Sequence, residues 1–178
     1  PAIMGKGFIA NFDKKVYTET FKNNSVIKNH HRKHPKDAYA PAWKTLEFMT
    51  FGSIFALFLS IKDKNIQKDI AKCFNISSVD IFISYIRSIV TLRNTCAHCG
   101  VLFDFTLPQS ILRGPALKIN NTNKNILYPV IQIILFVLTE ISTNRANDMK
   151  QKIIHIFEKH KENEVIKGII ETKIGYSF

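Results

Sequence analysis

Near the middle of the chain, Arg93-Asn94-Thr95-Cys96-Ala97-His98 brings a guanidinium, an amide and an imidazole within one and a half helical turns. At a rise of about 1.5 Å per residue, Arg93 and His98 lie about 7.5 Å apart along the axis and about 140° apart around it. Asn94 and His98, four residues apart, are neighbours on one face. The long stem of Arg93 can carry its head group round to them. A guanidinium fork matches two phosphate oxygens, and imidazole is suited to general acid or base work near neutral pH. Cleaving RNA without a metal needs both: a group that takes the 2′-hydroxyl proton, and a cation that offsets charge on the phosphoryl oxygens. The spacing therefore points to phosphate chemistry, with Arg93 and His98 catalytic and Asn94 holding the ring or the phosphate. One imidazole per chain does not easily serve as both base and acid, so a two-fold dimer that juxtaposes two such helices is expected. The competing reading is a non-catalytic module in which these residues form a buried polar network and the activity is binding, for example of a nucleic acid. Exposure separates the two, because a catalytic pair must reach solvent.

Other chemistry-bearing residues are scattered more widely. Glu47 lies in an apolar stretch, where a carboxylate either faces water or takes a cation such as Arg93 as its partner. The run His30-His31-Arg32-Lys33-His34-Pro35 reads as a solvated helix end whose cations complement the dipole, stopped by proline. Contact with nucleic acid is its second reading, through Arg32, Lys33 and Lys36. No carboxylate or thiol stands at ligand spacing to make it a metal tract. Cys96 and Cys99 flank His98, but they form an incomplete zinc set, with Cys73 the remaining thiol. A Cys-x-x-Cys redox catalyst belongs at a helix N-terminus, whereas a helix C-terminus disfavours thiolate. Both are read as helix-packing cysteines, and no metal or other cofactor is expected.

The elements that must position these residues are helical. Gly5 and Gly7 break any helix within residues 1–15, and a partial stripe suggests one from about 16 to 33. Residues 42–61, with Trp43, Leu46, Phe51, Phe55 and Phe58, read as one central buried helix. Residues 62–74 are amphipathic. Ser77 or Ser78 then caps a helix running to about His98, with Asp80 in its first turn and Gly100 at its end. Phe82, Ile86, Ile89, Arg93 and Ala97 lie along one stripe of it. Residues 101–124, with an Asn-Asn-Thr-Asn run at 120–123, are loop-rich. Residues 126–142 form another core helix, too interrupted by Gln132 and Glu140 to span a bilayer. An amphipathic helix over 147–161 and a last turn or two over 165–170 complete an all-α bundle of about five to seven helices. A basic N-terminal segment, residues 1–40, precedes the helical domain at 41–178.

The totals bound the partners. The 178 residues carry 25 Lys and Arg against 14 Asp and Glu, a formal charge of +11 that favours an acidic partner such as nucleic acid. The excess is spread along the chain rather than held in a tail. A 46% hydrophobic and 22% charged composition excludes a disordered chain. Three cysteines, an odd number, argue against a disulfide framework and for a reducing compartment, hence the cytoplasm. The chain opens on Pro1 with no signal-peptide pattern. A membrane-surface role for residues 126–142 is a third, minor reading.

Three blocks agree in order and spacing with a known family. They are Pro41-Ala42-Trp43 with Leu46-Glu47-Phe48 and Gly52; Ile70-Ala71-Lys72 with Phe74; and Ile86-Arg87-Ser88 with Leu92-Arg93-Asn94-Thr95-Cys96-Ala97-His98. Over roughly residues 35–145 the chain resembles the Abi-like family, abortive-infection phage-resistance proteins of bacteria grouped with the HEPN (higher eukaryotes and prokaryotes nucleotide-binding) superfamily. The resemblance implies a helical bundle, homodimerisation and metal-independent endoribonuclease activity. Arg93 and His98 match the superfamily's signature pair, and Asn94 its polar neighbour. It also implies an RNA substrate, for which Arg32, Lys33, Lys36 and Arg87 are candidate contacts, and an antitoxin or phage-derived trigger as a further partner. Where the family commonly has a second His, an Arg and an Asn, this chain has Cys99, Val101 and Asp104. Asp104 and Glu47 are carried as supporting residues. The family's usual N-terminal portion is expected to be largely missing.

Overall fold

The computed structural model describes residues 4–117 and 124–178, so the Asn-rich run at 120–123 lies outside the described residues. The described residues form helices without a strand; an isolated bridge joins Met4 to Ile61. The chain divides into two compact units, residues up to Gln67 and residues from Lys68 onward.

The first unit holds α1 (Lys6–Lys15), α2 (Glu19–Lys22), α3 (Ser25–Lys33), α4 (Ala42–Phe48) and α5 (Phe51–Leu59). The glycines expected to prevent a helix here instead start one: Gly5 is the N-cap of α1 and Gly7 sits in its first turn. In that turn the amide N–H groups have no intrahelical partner in any case. The single helix expected over 16–33 is two, because Thr18 accepts from Phe21 N and Asn24 accepts from Val26 N, each capping its own start.

Tyr17 sits at the centre of the first unit, only 1% exposed, in a core with Ile27 and Ala40, against which Phe12, Phe21 and Phe48 pack. Its hydroxyl accepts from Ala40 N at 2.7 Å and is 2.9 Å from His31 Nε2. Residues before and after position 40 thus share one core.

The central buried helix expected over 42–61 is broken at Met49, whose backbone is extended, and restarts because Thr50 caps Ser53 N. The two halves bury little: Thr45, Met49 and Phe58 are buried, while Trp43 is 75% exposed. Thr45 is anchored through its hydroxyl, which donates to Ala40 O.

α6 (Lys64–Lys72) crosses the division between the units. The second unit continues with α7 (Val79–Ala97), α8 (Leu127–Ile141), α9 (Thr143–Glu158) and α10 (Glu164–Ile169), which runs on into a π turn at Ile170–Ile174. As expected, Ser78 caps α7 by accepting from Ile81 N, and Asp80 supports its positive end. α8 lies between α7 and α9, and the π turn closes on α8. α8 buries Pro129, Val130, Ile133 and Val137. Among the described residues no helix is long and apolar enough to cross a membrane.

The segment after α7 is a strap fastened to α7. Ala116 N donates to Tyr85 Oη at 3.2 Å, Leu112 N donates to Ser84 Oγ at 3.0 Å, and the strap's own Phe105, Leu107, Ile111 and Leu117 are buried. Gly114 permits this: a Cβ there would come within 2.6 Å of Ile81 Cγ2 and 2.7 Å of the Tyr85 hydroxyl. Burial pushes the Tyr85 phenol up from its ordinary range, a shift moderated by the backbone bonds of Ala116 and Leu117.

Candidate functional site at the C-terminal end of α7

α7 is held by its buried side, Phe82, Tyr85, Ile86, Ser88 and Leu92. Leu92, rather than the expected Arg93, continues the core stripe. The helix rotates about 100° per residue, so burying Leu92 turns Arg93 outward. Arg93, Asn94, Ala97 and His98 are all exposed. The three motif residues therefore share one solvent-reachable turn, with Arg93 Nη1 donating to Asn94 Oδ1 at 3.2 Å. Asn94 also accepts the His98 backbone N–H on its carbonyl, at 3.0 Å. None of the described residues hydrogen-bonds the His98 ring, which leaves both ring nitrogens open to a ligand.

The turn itself is rigidly specified. α7 ends in paired bonds, Gly100 N to Thr95 O at 2.7 Å and Cys99 N to Cys96 O at 3.2 Å. Together they form the Schellman arrangement that satisfies the last carbonyls. His98 is the cap residue, and Cys99 takes the left-handed conformation with φ 54°. Gly100, expected to end the helix, stands one place beyond the left-handed position. A Cβ there would approach Thr95 Cγ2 to 2.6 Å, so close contact is what demands glycine.

The remaining candidates lie apart from this turn. Arg87 is exposed on the stripe that continues through Thr91, Asn94 and His98, and its guanidinium donates to Gln109 Oε1 at 2.8 Å. Gln109 carries no signal in the sequence, because the contact spans 22 residues and a loop has no periodicity that would reveal it. Asp104 pairs with Lys173 Nζ at 3.1 Å on the surface of the second unit. Glu47 is exposed on α4, where water solvates its carboxylate. Arg32, Lys33 and Lys36 are exposed at the end of α3 in the first unit, with Arg32 donating to Asn29 Oδ1.

Of the run before Pro35, Arg32, Lys33 and His34 make the solvated, basic helix end expected, whereas His30 and His31 do not. His30 is 5% exposed, 3.1 Å from Asp37 Oδ2 and stacked on His34 at 4.8 Å, while His31 is held by Tyr17. The cysteines differ too: Cys73, Cys96 and Cys99 are all exposed, so none serves as packing. No group of three or more His, Cys, Asp or Glu among the described residues is placed to hold a metal ion.

The chain is thus a basic all-α protein that presents an open arginine–asparagine–histidine turn to solvent. The profile of the Abi-like protein family matches residues 6–104, more than half of the chain, and the chain belongs to that family. Membership supports an abortive-infection function. The match begins well before the expected residue 35, taking in α1 to α7 with the motif, and stops short of α8. No curated protein and no solved structure matches the chain.

Proposed function

We propose that this protein is an abortive-infection effector that cleaves RNA without a metal, as a HEPN-type endoribonuclease, at the turn formed by Arg93, Asn94 and His98. The observation that carries the reading is the open imidazole of His98 on the same solvent-facing helix end as the exposed guanidinium of Arg93, which is bonded to Asn94.

His98 takes the proton from a ribose 2′-hydroxyl, and the 2′-oxygen attacks the adjacent phosphorus. The Arg93 fork binds the non-bridging oxygens and offsets the charge that develops on them. Asn94 holds Arg93 in place and fixes the backbone of His98. The bond to the 5′-oxygen breaks, leaving a 2′,3′-cyclic phosphate and a 5′-hydroxyl. The proton for that leaving oxygen comes from a second imidazole, which a two-fold homodimer supplies. The cytoplasm, where RNA and a phage-derived trigger or antitoxin are met, is the compartment for this activity.

The test is incubation of the purified chain with labelled transfer and messenger RNA, with and without chelator. Chelator-resistant fragments ending in cyclic phosphate are expected, and His98→Ala removes them. Equal cleavage by that variant overturns the assignment. The rival reading, a polar network locking helices, needs the three side chains buried. Their exposure counts against it.

A further inference from the structure

Three non-glycine residues have positive φ among the described residues: Asn75, Cys99 and Asp104. Asn and Asp tolerate this conformation because their short polar chains bond locally. Cysteine has no such excuse. The end of α6 shows the ordinary solution to the same problem. There Ile76 N bonds to Ala71 O and Asn75 N to Lys72 O, the same paired bonds with an asparagine in the left-handed place. At the end of α7 a thiol occupies that place at a conformational cost, and such a cost at a solvent-facing turn points to a use for the side chain.

The use follows from the partner. Cys99 N–H bonds to Cys96 O, so residues 96–99 close a turn that brings the two Cα atoms within about 7 Å. A disulfide requires roughly 4.4–6.8 Å between Cα atoms. Both thiols are exposed, as a sensor pair must be for an oxidant to reach it.

We propose that Cys96 and Cys99 are a dithiol modification site that a hydroperoxide converts to an intramolecular disulfide, clamping the turn that carries His98. One sulfur attacks the peroxide, the O–O bond breaks and an alcohol or water leaves, giving a sulfenic acid. The second sulfur then displaces its hydroxyl as water, forming the S–S bond. Two thiols and one hydroperoxide thus become a disulfide, one alcohol or water from the peroxide, and one further water. The effect on activity rests on the nuclease reading above: drawing the two sulfurs to bonding distance shifts the backbone on both sides of the proposed base away from the geometry of the reduced turn and slows cleavage.

The full chain treated with hydrogen peroxide tests this. One of the three thiols, Cys73, remains reactive to a maleimide after denaturation, intact mass falls by two hydrogens, and a non-reducing gel shows monomer. Dithiothreitol restores all three. Cys96→Ser and Cys99→Ser each abolish the mass loss, whereas Cys73→Ser retains it. Added oxygen without mass loss, a cross-linked dimer, or three unreacted thiols overturns the proposal. Cleavage by the oxidised chain drops ten-fold or more and recovers with dithiothreitol, and equal rates overturn the clamp. A reduced parent that cleaves no RNA defeats the nuclease reading, and the thiol count then decides the modification site independently.

Discussion

The protein has two histidine-bearing helix ends, one on α3 and one on α7, and they are built in opposite ways. At the close of α3, His30 is buried against Asp37 and His34, and His31 is tied to a tyrosine hydroxyl that also accepts from Ala40 N. At the close of α7, His98 projects into solvent with no described residue bonded to its ring. Each unit has a buried tyrosine that receives a distant backbone N–H, Tyr17 from Ala40 and Tyr85 from Ala116. In the first unit the anchor holds histidines in. In the second it fastens a strap across the middle of α7 and leaves the last turn free. A histidine's value as a functional candidate follows from what its ring already touches.

Exchanging histidine for alanine at each end separates the two most sharply. His98→Ala is expected to lower RNA cleavage by about a hundred-fold or more. Its melting temperature should be unchanged, since an exposed, unpartnered ring stabilises little. His30→Ala does the reverse, costing about 1–3 kcal/mol in denaturant unfolding with cleavage per folded molecule intact. If His30→Ala is neutral to stability, the structural role assigned to the α3 end is wrong.

Tyr17→Phe strands the buried Ala40 N–H and the His31 ring, and about 1–3 kcal/mol is expected to be lost in the same measurement. Tyr85 gives a pH-dependent counterpart. Its folded value is raised by burial above the ordinary 10.0, so between the two values the unfolded chain releases a proton that the folded chain keeps. The stabilisation is complete below about pH 10 and is lost as pH rises through the folded value. Urea midpoints from pH 8 to 11 should fall on this limb for the parent and fall less steeply for Tyr85→Phe.

Smaller effects complete the series. Cys99→Gly relieves the left-handed conformation and should stabilise the chain by about 1 kcal/mol, visible as a raised urea midpoint at unchanged slope. Glu47→Gln, on a water-facing carboxylate, should change stability by less than about 0.5 kcal/mol.

Much of the α7 end is legible in the residue order itself. The Ser78 cap, the Asp80 charge and the placing of Arg93, Asn94 and His98 on one helix end all rest on interactions within four residues. The misreadings come from local signals outweighed by stronger ones, some of them just as local and one of them tertiary. Residues 42–61 look like a single buried helix by hydropathy, yet Thr50 provides a cap that splits them, and Trp43 finds no cover. Gly5 and Gly7 look like breakers, yet they occupy the one part of a helix where glycine is least costly. His30 looks solvated, yet the fold of the first unit closes over it.

The amino-acid order alone determined that the chain is helical, roughly where its helices start and stop, and that a cation, an amide and an imidazole share a turn, because caps and i,i+4 spacing act locally. Tertiary structure decided which face of each helix meets water. That choice is made by groups 23 and 31 residues away, Ala40 on Tyr17 and Ala116 on Tyr85. Burying Leu92 rather than Arg93 is what turns the motif outward, and no periodicity within α7 states which of the two neighbours the core will take.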